Sequence, residues 1–335
     1  MNCTNCGEQN EASANFCEGC GSTLKAEAVA ADASGDCPTC KAGPGCIDDD
    51  GCCTVCGTKR KAAPRDHFHQ VISAQVAGVS DIGCRYKENQ DYLAIGQAPG
   101  KLALVVSDGV SNSQNPMIGS KAAAEAALAV LLAAPDQAQA AASDDRDLFA
   151  RATDAAQAAI CKTPYDATTF GRDGQALMPA QATLVCAYVD TTSRKVMVGW
   201  VGDSRAYWLS GSTCTQLTVD HSWYNWAITE GGMSPQAAKD DARSHSIIRS
   251  LGAADDGSSE GLEVDCDVRV LNASGKGTLV LCSDGLWNYL ADEKHLSTLI
   301  DSYGKVDALT VARRLVTFAR EAGGHDNISC IIAQI

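Results

Sequence analysis

Short runs of apolar β-formers recur from about Val71 onward, each closed by Gly, Ser or charged residues, and between them lie Ala-rich stretches with helical spacing. The runs "VISAQVAGVS" (71–80), "KLALVVS" (101–107), "ATLVCAYVD" (182–190), "KVMVGWVG" (195–202), "RAYWLS" (205–210), "LEVDCDVRVL" (262–271), "GTLVLCS" (277–283) and "ISCIIAQI" (328–335) predict strands. Helices are predicted over about 117–134, 145–162, 234–241, 286–301 and 306–322. Strands follow strands directly, and helices enter in groups. That order predicts an α+β domain over 71–335, with antiparallel sheets covered by helices, rather than a doubly wound α/β sheet.

Two of these runs close on the same triplet, Ser107-Asp108-Gly109 and Ser283-Asp284-Gly285. Asp-Gly is a hairpin signal, but a hairpin needs a second strand directly after the glycine. After Gly109 comes the polar "VSNSQNPMIG", and after Gly285 the helically spaced "LWNYLADEKHLSTLI". Both aspartates therefore read as carboxylates at the ends of buried strands. Asp91 in "KENQDYLAIG" and Asp326 in "EAGGHDNIS" each stand just before a strand candidate. Taken singly, each acid fits a turn or a helix N-cap equally well. If the four meet, however, two carboxylates about 4 Å apart repel by about 4 kcal/mol at an effective dielectric of about 20. Such a cluster calls for a cation, and oxygen ligands without His or Cys favour Mg2+ or Mn2+.

The first 60 residues have a different composition. They hold ten of the chain's 17 cysteines. Two diverged units, 1–24 and 37–60, each carry two Cys-x2-Cys pairs: Cys3/Cys6 with Cys17/Cys20, and Cys37/Cys40 with Cys53/Cys56. Four thiolates at this spacing form a tetrahedral structural zinc site. A segment this short cannot hold itself together by burial, whereas structural zinc supplies roughly 10–16 kcal/mol. Pairing Cys17/Cys20 with Cys37/Cys40 instead would leave the outer pairs to close a longer loop, so loop entropy favours the local pairing. Cys46 and Cys52 are left as non-ligands. Segments 25–36 and 61–70 read as linkers. The seven remaining cysteines are scattered singly, which is the pattern of reduced core residues and not of a disulfide framework.

A formal net charge of -14 over 335 residues argues against a general nucleic-acid or anionic-membrane binder. Residues 1–60 carry four Lys or Arg against nine Asp or Glu, so protein contact is the expected use of the ribbons. The chain shows neither an uninterrupted apolar run of about 18 residues nor a basic-then-apolar start, so a cytoplasmic protein without a membrane span is expected.

In order, "SDIGCRYKENQD" (80–91), "VVSDG" (105–109), "ATLVCAYV" (182–189), "GWVGDSRAYWL" (199–209), "LVLCSDGL" (279–286) and "GGHDNIS" (323–329) resemble the motifs of metal-dependent protein phosphatases of the 2C type. The resemblance implies a sandwich of two antiparallel sheets flanked by helices, with a binuclear Mg2+ or Mn2+ site at one end. It implies that Asp108 bridges the metals and that the Gly109 carbonyl binds one of them. Asp284 and Asp326 then bind the other, and Asp91 lies beside the pair. Asp220 in "LTVDHSW" matches more loosely an acid for a third, weaker metal. The implied reaction is hydrolysis of phosphoserine or phosphothreonine in proteins by a metal-activated water, with no serine or cysteine nucleophile.

Two departures stand out. The family often continues after Asp-Gly with Gly-Gly-His, where this chain has "VSNSQNPMIGS". Many members place a phosphate-binding Arg five residues before the Asp91 position, where this chain has Tyr86 between Arg85 and Lys87. Arg85 is the candidate for a bidentate phosphate contact, and Lys87 for a point charge. Asp203 and Arg205 in "GDSRAY" read as a structural turn. The alternative function is a weakly active or inactive phosphatase-like module that binds a phosphoprotein or regulator, with the ribbons as protein-interaction units.

Overall fold

Both faces of most strands are buried, which is why they read as unbroken apolar runs instead of alternating ones. In the computed structural model, residues 39–43, 55–56, 67–134, 145–171, 174–252, 264–273 and 275–335 are described. The chain divides into two compact units, Met1–Ala63 and Pro64–Ile335. Of the first, Cys3, Cys6, Cys17, Cys20, Cys37 and Cys53 lie outside the described residues, while Cys40 and Cys56 are exposed.

The second unit contains the strands β1 (His67–Ser73), β2 (Val76–Asp81), β3 (Tyr92–Ala98), β4 (Lys101–Ser107), β5 (Gln181–Ala182), β6 (Leu184–Asp190), β7 (Lys195–Val201), β8 (Arg205–Ser210), β9 (Thr213–Gln216), β10 (Leu251–Gly252), β11 (Asp267–Asn272), β12 (Thr278–Cys282) and β13 (Ile328–Gln334). Its helices are α1 (Pro116–Ala133), α2 (Asp145–Ile160), α3 (Trp223–Thr229), α4 (Pro235–Lys239), α5 (Asp284–Trp287), α6 (Glu293–Ser302) and α7 (Ala308–Glu321). One sheet runs β1-β2-β13-β12-β8-β9 and the other β11-β7-β6-β4-β3, with β10 and β5 as a small separate pair. Every strand pairing in them is antiparallel, as the order of strands in the sequence predicts.

Side-chain parity assigns the layers. From β4, Leu102, Leu104 and Val106 point inward to meet Leu279 and Leu281 of β12 and Ile331 of β13 between the sheets. The intervening Ala103 and Val105 face outward, under Ala123, Ala127 and Leu131 of α1 and Phe149 of α2. On the other side, Val280 and Cys282 face Val311, Leu315 and Ala319 of α7. The result is a helix–sheet–sheet–helix stack. Although α1 contains Lys121 and Glu125, it is long and apolar enough by length and composition to cross a membrane. Here its small side chains are packed against β3, β4 and α2.

The structure departs from the sequence-based expectation at several places: β1 begins at His67, inside the segment 61–70 read as a linker, and β9 and β10 fall outside every predicted run. The run 71–80 is split by a turn at Ala74 and Gln75 into β1 and β2. The expected helix 286–301 is broken into α5 and α6 because Asp292 caps the second piece, accepting from the His295 N–H at 2.8 Å. α3, which was not expected, follows a Ser222 cap that accepts from Asn225 N–H at 3.3 Å.

Candidate active site

Register alone brings four aspartates to one end of the sandwich. Tyr92 lies opposite Ser107, so the residue before β3, Asp91, and the residue after β4, Asp108, emerge together. Cys282 lies opposite Cys330, which places Asp284 and Asp326 at one end of the other sheet. The two sheet ends are tied across the gap. Ser283 Oγ donates to Asp91 Oδ2 at 2.7 Å, and Gln90 N–H donates to Asn327 Oδ1 at 2.7 Å. Ser283 occupies the N-cap of α5 but makes no capping bond with its hydroxyl, which is given to Asp91 instead. Asp108 is fixed from β6's side, its N–H donating to Thr183 Oγ1 at 3.1 Å and its carbonyl accepting from Thr183 N–H at 2.8 Å.

Both glycines of the repeated triplets are required by close approach, since neither has a positive φ. A Cβ at Gly285 would lie 1.9 Å from the Asn327 carbonyl oxygen. A Cβ at Gly109 would lie 2.7 Å from the Pro116 carbonyl oxygen and 2.8 Å from that of Gln90.

Burial dominates the electrostatics. It raises Asp91 to about 6 against the pull of the Ser283 hydrogen bond, and raises Asp326 to about 7 with help from the charges of Asp284 and Asp91. Asp108 is held well above the usual carboxylate range by burial and then by Asp91 and Asp284, and burial raises Asp284 as well. Asp108 lies in hydrogen-bonding reach of both Asp91 and Asp284. Among the described residues, no three His, Cys, Asp or Glu side chains are already spaced as a metal cage.

The remaining candidates are placed as follows. The Arg85 guanidinium, which is exposed, lies 2.9 Å from His325 Nε2, next to Asp326. The Tyr86 hydroxyl lies 3.2 Å from Ser111 Oγ, and burial raises its pKa with contributions from Asp326, Asp108 and Asp284, so this ring faces the acids. Asp220 is not brought into the acid group's hydrogen bonds. Both of its oxygens are taken by Arg205, at 2.9 Å from Nε and 2.6 Å from Nη2.

Arg205 is structural, as its sequence context suggested, with its guanidinium 3.6 Å from the centre of the Trp287 ring. Asp203 is not confined to a turn. Burial and then Asp284 and Asp220 raise it to about 8, and it adds to the field on Asp108. The Trp287 indole N–H donates to the Asp203 carbonyl at 2.9 Å and so fixes this fifth acid beside α5. The signal in the sequence was the "GDSR" segment itself, whose acid reads as an ordinary turn residue until Trp287 is seen against it.

Among the described residues the three buried cysteines are not nucleophile candidates, whereas Cys84, expected to be a core residue, is exposed and its N–H donates to the Gly324 carbonyl at 2.8 Å. Burial pushes the Cys186 and Cys282 thiols well up and Cys330 to about 12, away from the thiolate a nucleophile needs.

Comparison with known proteins fits this geometry. The family profile described as Protein phosphatase 2C matches residues 85–318, and a zinc-ribbon domain profile matches residues 2–24. A serine/threonine phosphatase of Listeria welshimeri is 34% identical over 152 residues, covering 45% of this chain and 56% of the relative. The chain thus spans about half the length of the first curated relatives it matches. A protein phosphatase of Streptococcus pneumoniae is 25% identical over 263 residues, covering 78% of this chain and 97% of the relative. Among solved structures, a PPM Ser-Thr phosphatase from Mycobacterium smegmatis in complex with cacodylate superposes with a TM-score of 0.58 at 25% identity, covering 79% of this chain and 99% of that one. The catalytic domain of a serine threonine protein phosphatase in complex with 2 manganese ions superposes with a TM-score of 0.56 at 23% identity, covering 77% of this chain and 96% of that one.

Proposed function

The chain belongs to the protein phosphatase 2C family, and on that premise we propose that it hydrolyses phosphoserine and phosphothreonine esters in proteins, using Mg2+ or Mn2+ held by the acids at the sandwich end. The observation that carries this reading is the convergence of Asp91, Asp108, Asp284 and Asp326 on one buried site, where burial raises all four and the charges of neighbouring acids raise Asp91, Asp108 and Asp326 further. A cation fits these residues: Asp284 Oδ1 is buried with no hydrogen-bond partner, and the donor set is oxygen alone. When bound, a pair of such ions supplies Lewis acidity toward the phosphoryl oxygens and makes water acidic enough to act near neutral pH.

The chain's own residues divide the remaining work. Asp108 and the Gly109 carbonyl would hold one ion, with Asp108 shared between both, and Asp284 and Asp326 would hold the other. Asp91 is oriented by Ser283 beside them. Arg85 would meet the phosphoryl oxygens with a bidentate fork, and the Tyr86 hydroxyl would face them where many relatives carry Arg. The Arg205–Asp220 pair braces Trp287 and through it Asp203. The ribbon at 2–24 is joined, on a second set of two Cys-x2-Cys pairs, by another at 37–60. We infer one structural zinc for each and a role for both in protein contact.

The test is phosphothreonine-peptide hydrolysis by the full chain with Mn2+, with Mg2+ and with EDTA. We expect turnover that EDTA abolishes, and a loss of about 100-fold or more in Asp108→Asn, the scale of removing one group that stabilises transition-state charge. Asp284→Asn should weaken metal binding less than Asp108→Asn, because Asp284 would hold one ion where Asp108 would be shared by two. Turnover indifferent to EDTA, or none in folded, metal-loaded protein, would sink the reading.

A further inference from the structure

The loop that departs most from the family pattern, residues 110–116, is welded in place. The Gln114 N–H donates to the Met178 carbonyl at 2.8 Å. Its side chain donates to the Asp166 carbonyl at 2.7 Å and accepts from the Asp166 N–H at 2.9 Å. Asn115 Nδ2 donates to the Pro164 carbonyl at 2.9 Å. Between this loop and the segment carrying Pro164, Tyr165 and Asp166 lies a cleft of about 560 Å³.

The inner wall of the cleft belongs to the catalytic end. Gln90 precedes Asp91 and Ser111 follows Gly109 by two residues. Both line the cleft, joined by a 2.8 Å hydrogen bond from Ser111 Oγ to Gln90 Oε1. The other polar lining groups are amides, hydroxyls and the carboxylates of Glu88 and Asp166, and among the described residues the lining contains no Lys or Arg. Arg85, the candidate phosphate contact, does not line it. Glu88 Oε1 accepts from Gln90 Nε2 at 3.2 Å. Asp166 accepts from the Thr168 hydroxyl and N–H at 2.7 Å and 2.9 Å, which holds its carboxyl below the usual range.

We propose, resting on the phosphatase reading above, that this cleft seats the polypeptide flanking the phosphorylated residue and selects flanks that carry Lys or Arg. Its wall holds Gln90, which adjoins Asp91, and Ser111, two residues past Gly109, so a chain whose phosphate lies at the acids can reach it. Amide and hydroxyl groups suit an extended backbone. Glu88 and Asp166 attract an ammonium or guanidinium group and repel a carboxylate, so they discriminate by repulsion as well as attraction.

The test compares kcat/KM of the full chain with Mn2+ on two phosphothreonine peptides that differ only in carrying Lys or Glu on both flanks, with p-nitrophenyl phosphate as a third, flank-free substrate. The Lys-flanked peptide should be preferred by about tenfold, the product of two exposed ion pairs each worth a few-fold. The preference should shrink as salt is raised. In the double variant Glu88→Gln, Asp166→Asn the ratio of the two peptides should fall toward one, each rate being normalised to the same variant's rate on p-nitrophenyl phosphate. Equal use of both peptides by the unaltered chain, or a preference that survives the double variant, overturns the assignment of the cleft while leaving the phosphatase reading intact. Failure on all three substrates overturns both.

Discussion

Aspartates that ionise near 3.8 in an unfolded chain are held well above that value at the sandwich end: Asp91 at about 6, Asp326 at about 7 and Asp203 at about 8, with Asp108 and Asp284 also raised. Between about pH 4 and pH 8 the folded, metal-free protein therefore keeps protons that the unfolded chain has released. Stability falls as pH rises wherever the folded state binds more protons. In EDTA, the thermal midpoint should decline steadily from about pH 5 to pH 8, and saturating Mn2+ should flatten that decline because the cation takes the protons' place. A midpoint that is level or rising over this window in EDTA would mean that the acids do not crowd as described. Asp108, Asp284, Asp91 and Asp326 were legible in the sequence because each abuts a run whose strand character is local. Asp203 was not, because its raised pKa arises from burial against α5 and from Asp284, which lies far away in the chain.

At the scale of elements, the strand ends act through backbone proximity as much as through side chains. The Gly285 Cβ position lies 1.9 Å from the Asn327 carbonyl oxygen and 2.8 Å from its carbonyl carbon, both backbone atoms that cannot swing aside. In Gly285→Ala, α5 must move off the entry to β13, which separates Asp284 from Asp326. Overpacking of this kind costs about 1–3 kcal/mol or more, so both the thermal midpoint and Mn2+ affinity should fall. Gly275→Ala, where an added Cβ meets nothing within 4 Å, should leave both close to their starting values. Equal effects from the two variants would contradict the close-approach account. Periodicity located β4, β8 and β13 well, because each is an apolar run that spans one strand. It merged β1 with β2 and α5 with α6, because the breaks come from turns and caps: a two-residue turn at Ala74 and Gln75, and the Asp292 side chain.

At the scale of the whole molecule, what the sequence conceals is long-range register. The order β1-β2-β13-β12-β8-β9 brings the end of the chain between strands from its beginning and its middle, and no local pattern encodes that. The resemblance to a family supplied the sandwich, where periodicity supplied only its pieces. The cysteine-rich unit presents the reverse case, since its proposed organisation is read from cysteine spacing alone. Two zinc ions per chain are expected in native mass spectra of the full protein, one for Cys3, Cys6, Cys17 and Cys20 and one for Cys37, Cys40, Cys53 and Cys56. The combined variant Cys3→Ser, Cys6→Ser, Cys17→Ser, Cys20→Ser separates the two possible pairings. Local pairing leaves the second site whole, so one zinc remains. If Cys17/Cys20 instead shared an ion with Cys37/Cys40, the same variant would damage both sites and neither ion would be retained. Loop entropy favours the first outcome, since each local site closes a loop of ten or twelve residues between its pairs, whereas the outer pairs of the alternative must close across the inner site.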